Sequence, residues 1–188
     1  MADTALLIID IQNDYFPGGA MELEGAEQAG AKAAQALAKF RKDGLPVFHV
    51  RHLSVRPGAT FFIPGTPGAE IREGVRPLEG ETLVEKNFPN SFRGTALQNY
   101  LDKNKIKNLV VAGMMTHMCV DTTSREAAHR GYGVEILSDA TGTLAVESSG
   151  GAATGEELHR ATLVAQGHGF AEVLTTDAWL ERVATTDS

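Results

Sequence analysis

Residues 109–125 read LVVAGMMTHMCVDTTSR and hold the chain's only cysteine, Cys119, at the point where an apolar run changes into a helical pattern. The run is rich in Val and Leu and is followed by Gly113, which is typical of a strand buried on both faces. From Thr116 onward, small and apolar residues recur at the spacing of one helical face, with Thr116 as the predicted N-cap and Gly131 as the predicted terminator. The pattern places Cys119 in the first turn of a helix that follows a buried strand.

This position gives Cys119 a possible chemical role. The first N–H groups of a helix have no intrahelical partner and together carry about half a positive charge. They stabilise a thiolate, and they can also receive the oxyanion that forms when a thiolate attacks a carbonyl carbon. The alternative is that Cys119 is a small buried apolar side chain. The choice depends on which residues the rest of the chain brings to the same place.

The chain alternates apolar runs with amphipathic segments, which predicts one α/β domain over residues 1–188. The predicted fold has three layers, α-β-α, around a mostly parallel six-stranded sheet in the order 3-2-1-4-5-6. The predicted strands span residues 5–9, 46–51, 83–86, 108–112, 133–137 and 171–174. The predicted helices span residues 25–43, 95–104, 116–130, 154–167 and 176–183. Residues 52–81 and 148–155 are predicted as loops, the first being long enough for a lid or a binding loop.

Composition narrows the function classes. A single cysteine permits no intramolecular disulfide, and no apolar stretch approaches the length of a membrane span, so we expect a cytoplasmic protein without a membrane partner. The net charge of −7, with no basic stripe, argues against nucleic acid as a partner. A small molecule, neutral or cationic, is the expected partner.

Ionisable side chains follow three predicted strands. Asp10 ends strand one, Lys86 ends strand three and Cys119 follows strand four. In open α/β sheets, ligands bind outside the carboxyl ends of the strands, so these three side chains are predicted to meet at one edge. There a carboxylate can take the proton of a thiol, while a lysine lowers the thiol pKa and keeps the carboxylate ionised. Structural roles remain open, namely loop capping for Asp10 and Asp14 and a solvated strand end for Lys86.

Three motifs make the sequence recognisable: LIIDIQNDYF at 7–16, EKNFPNSF at 85–92 and GMMTHMCVDTT at 113–123. The chain resembles the isochorismatase-like cysteine hydrolases, which include nicotinamidases and other small-amide hydrolases. The resemblance implies an isochorismatase-like fold and cleavage of a C–N bond through a cysteine thioester. It also implies that Asp10, Lys86 and Cys119 form a catalytic triad and that the Met114–Met115 peptide is cis. The N–H groups of Met115 and Cys119 would then form the oxyanion hole.

Two other functions stay open on this fold. The first is hydrolysis of the vinyl ether of isochorismate, which needs an acid but no thiolate, so Cys119 argues against it. The second is a non-catalytic binding protein, since fold does not imply function.

We predict no metal and no other cofactor. His49 and His52 are three residues apart on a strand or its end, so their side chains point to opposite faces, and neither has a carboxylate two residues away. A zinc site from His117, Cys119 and His129 would consume the nucleophile and has no known ligand spacing.

The substrate pocket is predicted from aromatic and apolar residues near the motifs, a set that suits a small planar molecule. These residues are Tyr15, Phe16, Phe61, Phe62, Phe88, Phe92 and Met118. Because residues 52–81 would leave aromatic side chains partly exposed in a monomer, we also predict a homodimer or homotetramer.

Overall fold

A six-stranded parallel sheet forms the centre of the protein, of which the computed structural model describes residues 3–186. Its strands lie in the order β3-β2-β1-β4-β5-β8, and every pairing within it is parallel. The strands of the chain are β1 (Thr4–Ile9), β2 (Val47–His52), β3 (Thr82–Lys86), β4 (Asn108–Met114), β5 (Gly133–Gly142), β6 (Val146–Ser148), β7 (Gly151–Ala153) and β8 (Glu172–Leu174). The predicted order is confirmed, with β8 as the sixth strand of the sheet.

Both faces of the sheet are buried, and β1 shows why its sequence is continuously apolar. Leu6 and Ile8 face one hydrophobic core, while Leu7 and Ile9 face the other. Side chains of a strand alternate between the two faces, so a central strand in a three-layer fold has no polar side.

Helices cover the two faces in unequal numbers. They are α1 (Ala26–Lys42), α2 (Leu97–Lys103), α3 (Asp121–His129), α4 (Gly155–Gly169) and α5 (Thr176–Thr186). Side chains of α1 and α5 enter one core, where Phe40 and Trp179 stack with ring centroids 5.5 Å apart. Side chains of α2, α3 and α4 pack on the other face. None of the helices in residues 3–186 combines the length and the apolar character that crossing a bilayer requires.

The segment after β4 differs from the predicted continuous helix. Residues Thr116–Val120 form one π-helical turn, and α3 begins only at Asp121. The prediction of Thr116 as an N-cap is wrong, because its hydroxyl is 2.9 Å from Nδ1 of His159 on α4 and caps no N–H group. Gly131 does end the helix with a φ of +89°. Cys119 therefore lies in an unusually wide turn, a form often found at functional sites.

A short antiparallel hairpin, β6 paired with β7, stands apart from the main sheet. The prediction of a loop over residues 148–155 is wrong in this part, since β7 spans Gly151–Ala153. A strand of three small residues gives no alternating pattern that a sequence could reveal. Strand β5 is also longer than predicted and runs to Gly142, with an irregular register against β4 between Val111 and Gly113.

The long connection between β2 and β3 is tied to the carboxyl end of β1. The Gln12 side chain donates to the carbonyl oxygens of His52 at 2.9 Å and Ala69 at 2.8 Å, and it accepts the His52 N–H at 2.8 Å. The buried Asp14 carboxylate accepts the N–H of Phe62 at 2.6 Å. These bonds hold an otherwise irregular segment over the sheet edge where the predicted site lies.

Candidate active site

The sheet topology brings Asp10, Lys86 and Cys119 into contact. The Lys86 ammonium donates to Asp10 Oδ2 at 2.7 Å and to Cys119 Sγ at 3.3 Å. A carboxylate oxygen of Asp10 lies within 4.8 Å of the sulfur. The three residues are 0%, 2% and 5% exposed, respectively. Lys86 is therefore part of a buried, hydrogen-bonded cluster and not a solvated residue at a strand end, which was the alternative for it.

Close packing of β4 on β1 sets the separation of these groups. A Cβ atom at Gly113 would lie 2.0 Å from the carbonyl oxygen of Ile9, so no side chain fits there. Gly113 also has a φ of +137°, a conformation that disfavours other residues. Asp10, the residue after Ile9, has a φ of +52°, which is uncommon outside glycine. The glycine lets the Cys119 turn approach the strained backbone that presents Asp10.

Burial keeps the Cys119 thiol neutral. Burial raises the pKa of Cys119, the negative charge of Asp10 raises it further, and the positive charge of Lys86 opposes both without prevailing. The expected lowering of the thiol pKa by Lys86 is therefore present but outweighed. For Lys86 itself, burial acts to lower the pKa, but the charge of Asp10 and the hydrogen bonds to Asp10 and Cys119 raise it above its usual value. The resting cluster thus pairs a thiol with a buried ammonium.

His52 completes the cluster and was not predicted as a site residue. It ends β2 and pairs in register with Lys86 across the β2–β3 ladder. Its Nδ1 lies 3.1 Å from the Lys86 ammonium. Burial and the charge of Lys86 lower the pKa of His52, so the ring is neutral at pH 7, and the contact places its proton on Nε2. His52 lies at the carboxyl end of β2, so the rule that predicts Asp10 and Lys86 at this edge of the sheet also includes His52.

The same residues are arranged around a point where a metal ion could bind, but they do not fit one. Ligand atoms of Asp10, His52 and Cys119 all lie within 4.8 Å of one another, the one such group within residues 3–186. The Lys86 ammonium contacts all three at 2.7, 3.1 and 3.3 Å and so supplies the positive charge itself. His49 is held elsewhere, with its Nε2 at 2.8 Å from Glu81.

His117 and His129, whose zinc site with Cys119 the sequence argues against, each contact other residues. His117 Nδ1 is 2.7 Å from the hydroxyl of Thr143, and the His129 ring packs edge-on against Phe170 with centroids 5.6 Å apart. Among the described residues, these two histidines form no candidate metal group with Cys119.

A cavity of about 460 Å³ opens above Cys119. This volume suits a small-molecule ligand. Four of the predicted pocket residues line it: Tyr15, Phe61, Phe88 and Met118. The other lining residues are His52, Ser54, Val55, Arg56, Ala59, Asn87, Pro89, Met115 and Cys119.

Three predicted pocket residues belong instead to the packed interior. Phe16 is 2% exposed and lies beneath the guanidinium of Arg72. Phe62 is 1% exposed and supports the cavity from behind, with its ring edge-on to Tyr15 at 4.6 Å. Phe92 is 8% exposed and packs beneath Arg130. Aromatic character near a motif does not distinguish a cavity wall from the layer that supports it.

Of the predicted oxyanion-hole residues, Met115 precedes the turn that follows β4 and Cys119 lies within it. The Met114–Met115 peptide is cis, as the resemblance implies, and Met115 and Cys119 both line the cavity. The Met115 carbonyl accepts the N–H groups of Met118 at 3.1 Å and Val120 at 3.2 Å. The turn is thus closed by its own backbone hydrogen bonds, on the wall of the cavity that holds the thiol.

Comparisons with known proteins show the family of the chain. The family model "Isochorismatase domain" matches residues 4–178. The isochorismatase family protein YddQ of Bacillus subtilis is 47% identical over 178 residues, covering 95% of this chain and 99% of its own. Nicotinamidase 3 of Arabidopsis thaliana is 31% identical, covering 92% of this chain and 85% of its own. The crystal structure of a cysteine hydrolase from Pseudomonas syringae superposes with a TM-score of 0.91 at 25% identity, covering 98% of this chain and 93% of its own.

Proposed function

Because the chain belongs to the isochorismatase family of hydrolases, we propose that it cleaves a C–N amide bond of a small molecule by attack of Cys119. One observation carries the proposal. The buried Lys86 ammonium bridges Asp10 and Cys119 at the floor of a cavity of about 460 Å³. A base, a cation and a nucleophile in contact below a ligand-sized cavity are the parts that covalent catalysis requires.

The first half of the reaction forms an acyl-enzyme. Asp10 Oδ2 binds Lys86, whereas Oδ1 accepts no hydrogen bond from the described residues, so one carboxylate oxygen is available as a base. It takes the proton of Cys119 as the sulfur attacks the amide carbonyl carbon. The N–H groups of Met115 and Cys119 stabilise the negative oxygen of the tetrahedral intermediate. Asp10 then gives its proton to the departing nitrogen, and a thioester remains.

The second half releases the acid. Asp10, again a carboxylate, takes a proton from a water molecule that attacks the thioester carbonyl. Collapse of the second tetrahedral intermediate expels the Cys119 thiolate, which recovers its proton from Asp10. Lys86 balances the negative charge as it passes between Asp10 and the sulfur, which is why a fixed buried ammonium is useful here.

The neutral thiol fits this sequence of proton transfers. A cysteine with a raised pKa requires a base during the attack, and Asp10 is adjacent. Vinyl-ether hydrolysis would use Asp10 as an acid and would leave Cys119 without a role. A binding protein would need neither a cationic bridge nor a base at the cavity floor.

The experiment is turnover of a panel of small primary amides, followed by ammonia release. Mass spectrometry of protein quenched during turnover should find the acyl group on Cys119. Cys119→Ala should lower turnover by about 10⁴-fold or more while retaining substrate binding. Ser149→Ala, in the exposed tip of the β6–β7 hairpin, is the matched control and should match wild type. Full turnover by Cys119→Ala on a true substrate would favour acid catalysis by Asp10 alone.

A further inference from the structure

The cavity above Cys119 has a charge that the composition of the chain does not suggest. The protein has a net charge of −7, yet no carboxylate is among the residues of the described range 3–186 that line this cavity. Among the described residues that line it, Arg56 is the one cation, because His52 is neutral. A cavity wall with a single positive charge attracts an anionic group more than the neutral or cationic partner expected from the net charge.

Arg56 is also unusual among the arginines of the described chain. Arg41, Arg51 and Arg182 make ion pairs with glutamates, and Arg93 stacks over the ring of Phe88. The guanidinium of Arg56 has no hydrogen-bond, ion-pair or ring partner within residues 3–186, and it is exposed. Its five donors are therefore available for a ligand.

The positions of the charges define a direction through the cavity. Lys86 and Cys119 lie buried at the floor, and Arg56 lies exposed at the rim. His52 lines the same cavity, with its Nδ1 3.1 Å from the Lys86 ammonium. Phe61, Phe88, Met118 and Val55 provide apolar wall on the way. A ligand that fills this cavity contacts both the nucleophile and the guanidinium.

We infer that the substrate is an amide that also carries a carboxylate, with the amide carbonyl at Cys119 and the carboxylate bound by Arg56. This inference rests on the proposed function. A guanidinium binds a carboxylate through two parallel hydrogen bonds. Since Lys86 is already paired with Asp10, the one arginine that lines the cavity suits one singly charged group. Arg56 is a specificity residue in this assignment and takes no part in the proton transfers.

The first test needs no turnover and uses two alkylating reagents of equal chemistry and unequal charge. Iodoacetate carries a carboxylate and iodoacetamide a neutral amide, and each reports only Cys119, the single cysteine of the chain. Both reagents react with the same thiolate, so the ratio of their rates on one protein does not depend on the ionised fraction of the thiol. Arg56→Gln should lower the iodoacetate rate about tenfold relative to the iodoacetamide rate, equivalent to about 1.4 kcal/mol. Arg56→Lys should restore part of the ratio.

Arg160→Gln is the control, because Arg160 is exposed on α4, lies outside the cavity lining and changes the net charge by the same amount. It should leave the ratio as in wild type. A ratio that Arg56→Gln changes by less than twofold, or that Arg160→Gln changes equally, overturns the inference.

The second test compares monoamides of short dicarboxylic acids with the corresponding alkyl amides. The carboxylated series should have the higher kcat/KM, and Arg56→Gln should remove that preference mainly through KM. Turnover of both series without preference would overturn the carboxylate assignment while leaving the proposed function intact. Charge-selective alkylation without turnover of any amide would do the reverse, supporting Arg56 as an anion-binding residue and contradicting amide hydrolysis.

Discussion

The Lys86 ammonium lies 2.7 Å from Asp10 Oδ2, and neither side chain is accessible to solvent. Removing one partner of a buried ion pair leaves the other charge uncompensated. The pair therefore fixes the charge state of the site as well as its geometry. Cys119 lies 3.3 Å from the same ammonium, and its pKa is raised by the charge of Asp10 and lowered by the charge of Lys86.

This opposition predicts opposite effects of two substitutions on the thiol pKa. Asp10→Asn removes a negative charge that raises the pKa of Cys119 and frees Lys86 to pair with the thiolate, so the pKa should fall. Lys86→Met removes the cation that lowers it, so the pKa should rise further. The pH dependence of iodoacetamide alkylation should shift by about one unit or more in each direction. Both variants should lose turnover, because the base is absent in one and the balancing charge in the other. Shifts in the same direction would contradict the assigned charges.

Lys86 should also exclude metal ions. Turnover should survive chelators, and addition of Zn²⁺ or Co²⁺ should not increase it. Lys86→Ala vacates the point between Asp10, His52 and Cys119 and should create a site for Co²⁺, detected by sulfur-to-cobalt charge-transfer absorption. Adding Cys119→Ser to this variant should abolish the band. Activity lost on chelation and restored by a metal would mean that the cluster binds an ion in the active protein.

Acid sensitivity should come partly from Glu81, at the end of the long connection. Burial alone would raise its pKa, but hydrogen bonds from Arg41, the Leu78 N–H and His49 lower the pKa of Glu81 to about 2. In the unfolded chain the pKa of Glu81 is about 4.3, the value of a free glutamate. Because folding lowers this pKa, ionised Glu81 stabilises the fold at pH values above about 4.3, and this contribution is lost as the pH falls toward 2.

Glu81→Gln should therefore lower the free energy of unfolding at pH 7 by about 1–3 kcal/mol and flatten its decline below pH 4.5. Urea unfolding across this pH range measures both effects. Glu79→Gln, at an exposed neighbouring position, should change neither. An equal pH dependence in wild type and Glu81→Gln would contradict the role of Glu81.

A homodimer or homotetramer remains a prediction. Val55, Phe88 and Met118 at the cavity are 65%, 41% and 39% exposed, and such side chains favour coverage by a second copy. Light scattering at micromolar concentration should give a multiple of the 20.0 kDa chain mass. A monomeric mass would contradict the prediction.

Strand order and the central cluster followed from the sequence because both depend on strong, regular signals. Continuous apolar runs identify buried parallel strands, and polar residues at their carboxyl ends must share one edge. Asp10 and Lys86 were found in this way, and Cys119 by its place after β4. His52 obeys the same rule, but the predicted second strand ends at residue 51, one residue before it.

The residues of the cavity wall were predicted less completely from the sequence, because they lie on irregular backbone. Ser54, Val55, Arg56 and Ala59 lie in a connection without periodicity, whose path is set by distant hydrogen bonds such as those of Gln12. The π-helical turn at Thr116–Val120 has a similar cause. A sequence with helical spacing does not show where one extra residue widens a turn.

The neutral state of Cys119 also bears on chemical durability. Peroxides oxidise the thiolate form of cysteine, and the first product leads on to irreversible acids. Cys119 is 5% exposed, and its sulfur holds its proton until a base removes it, so it resists this damage while no substrate is bound. The burial that makes Asp10 necessary for attack thereby preserves the only sulfhydryl group of the chain between turnovers.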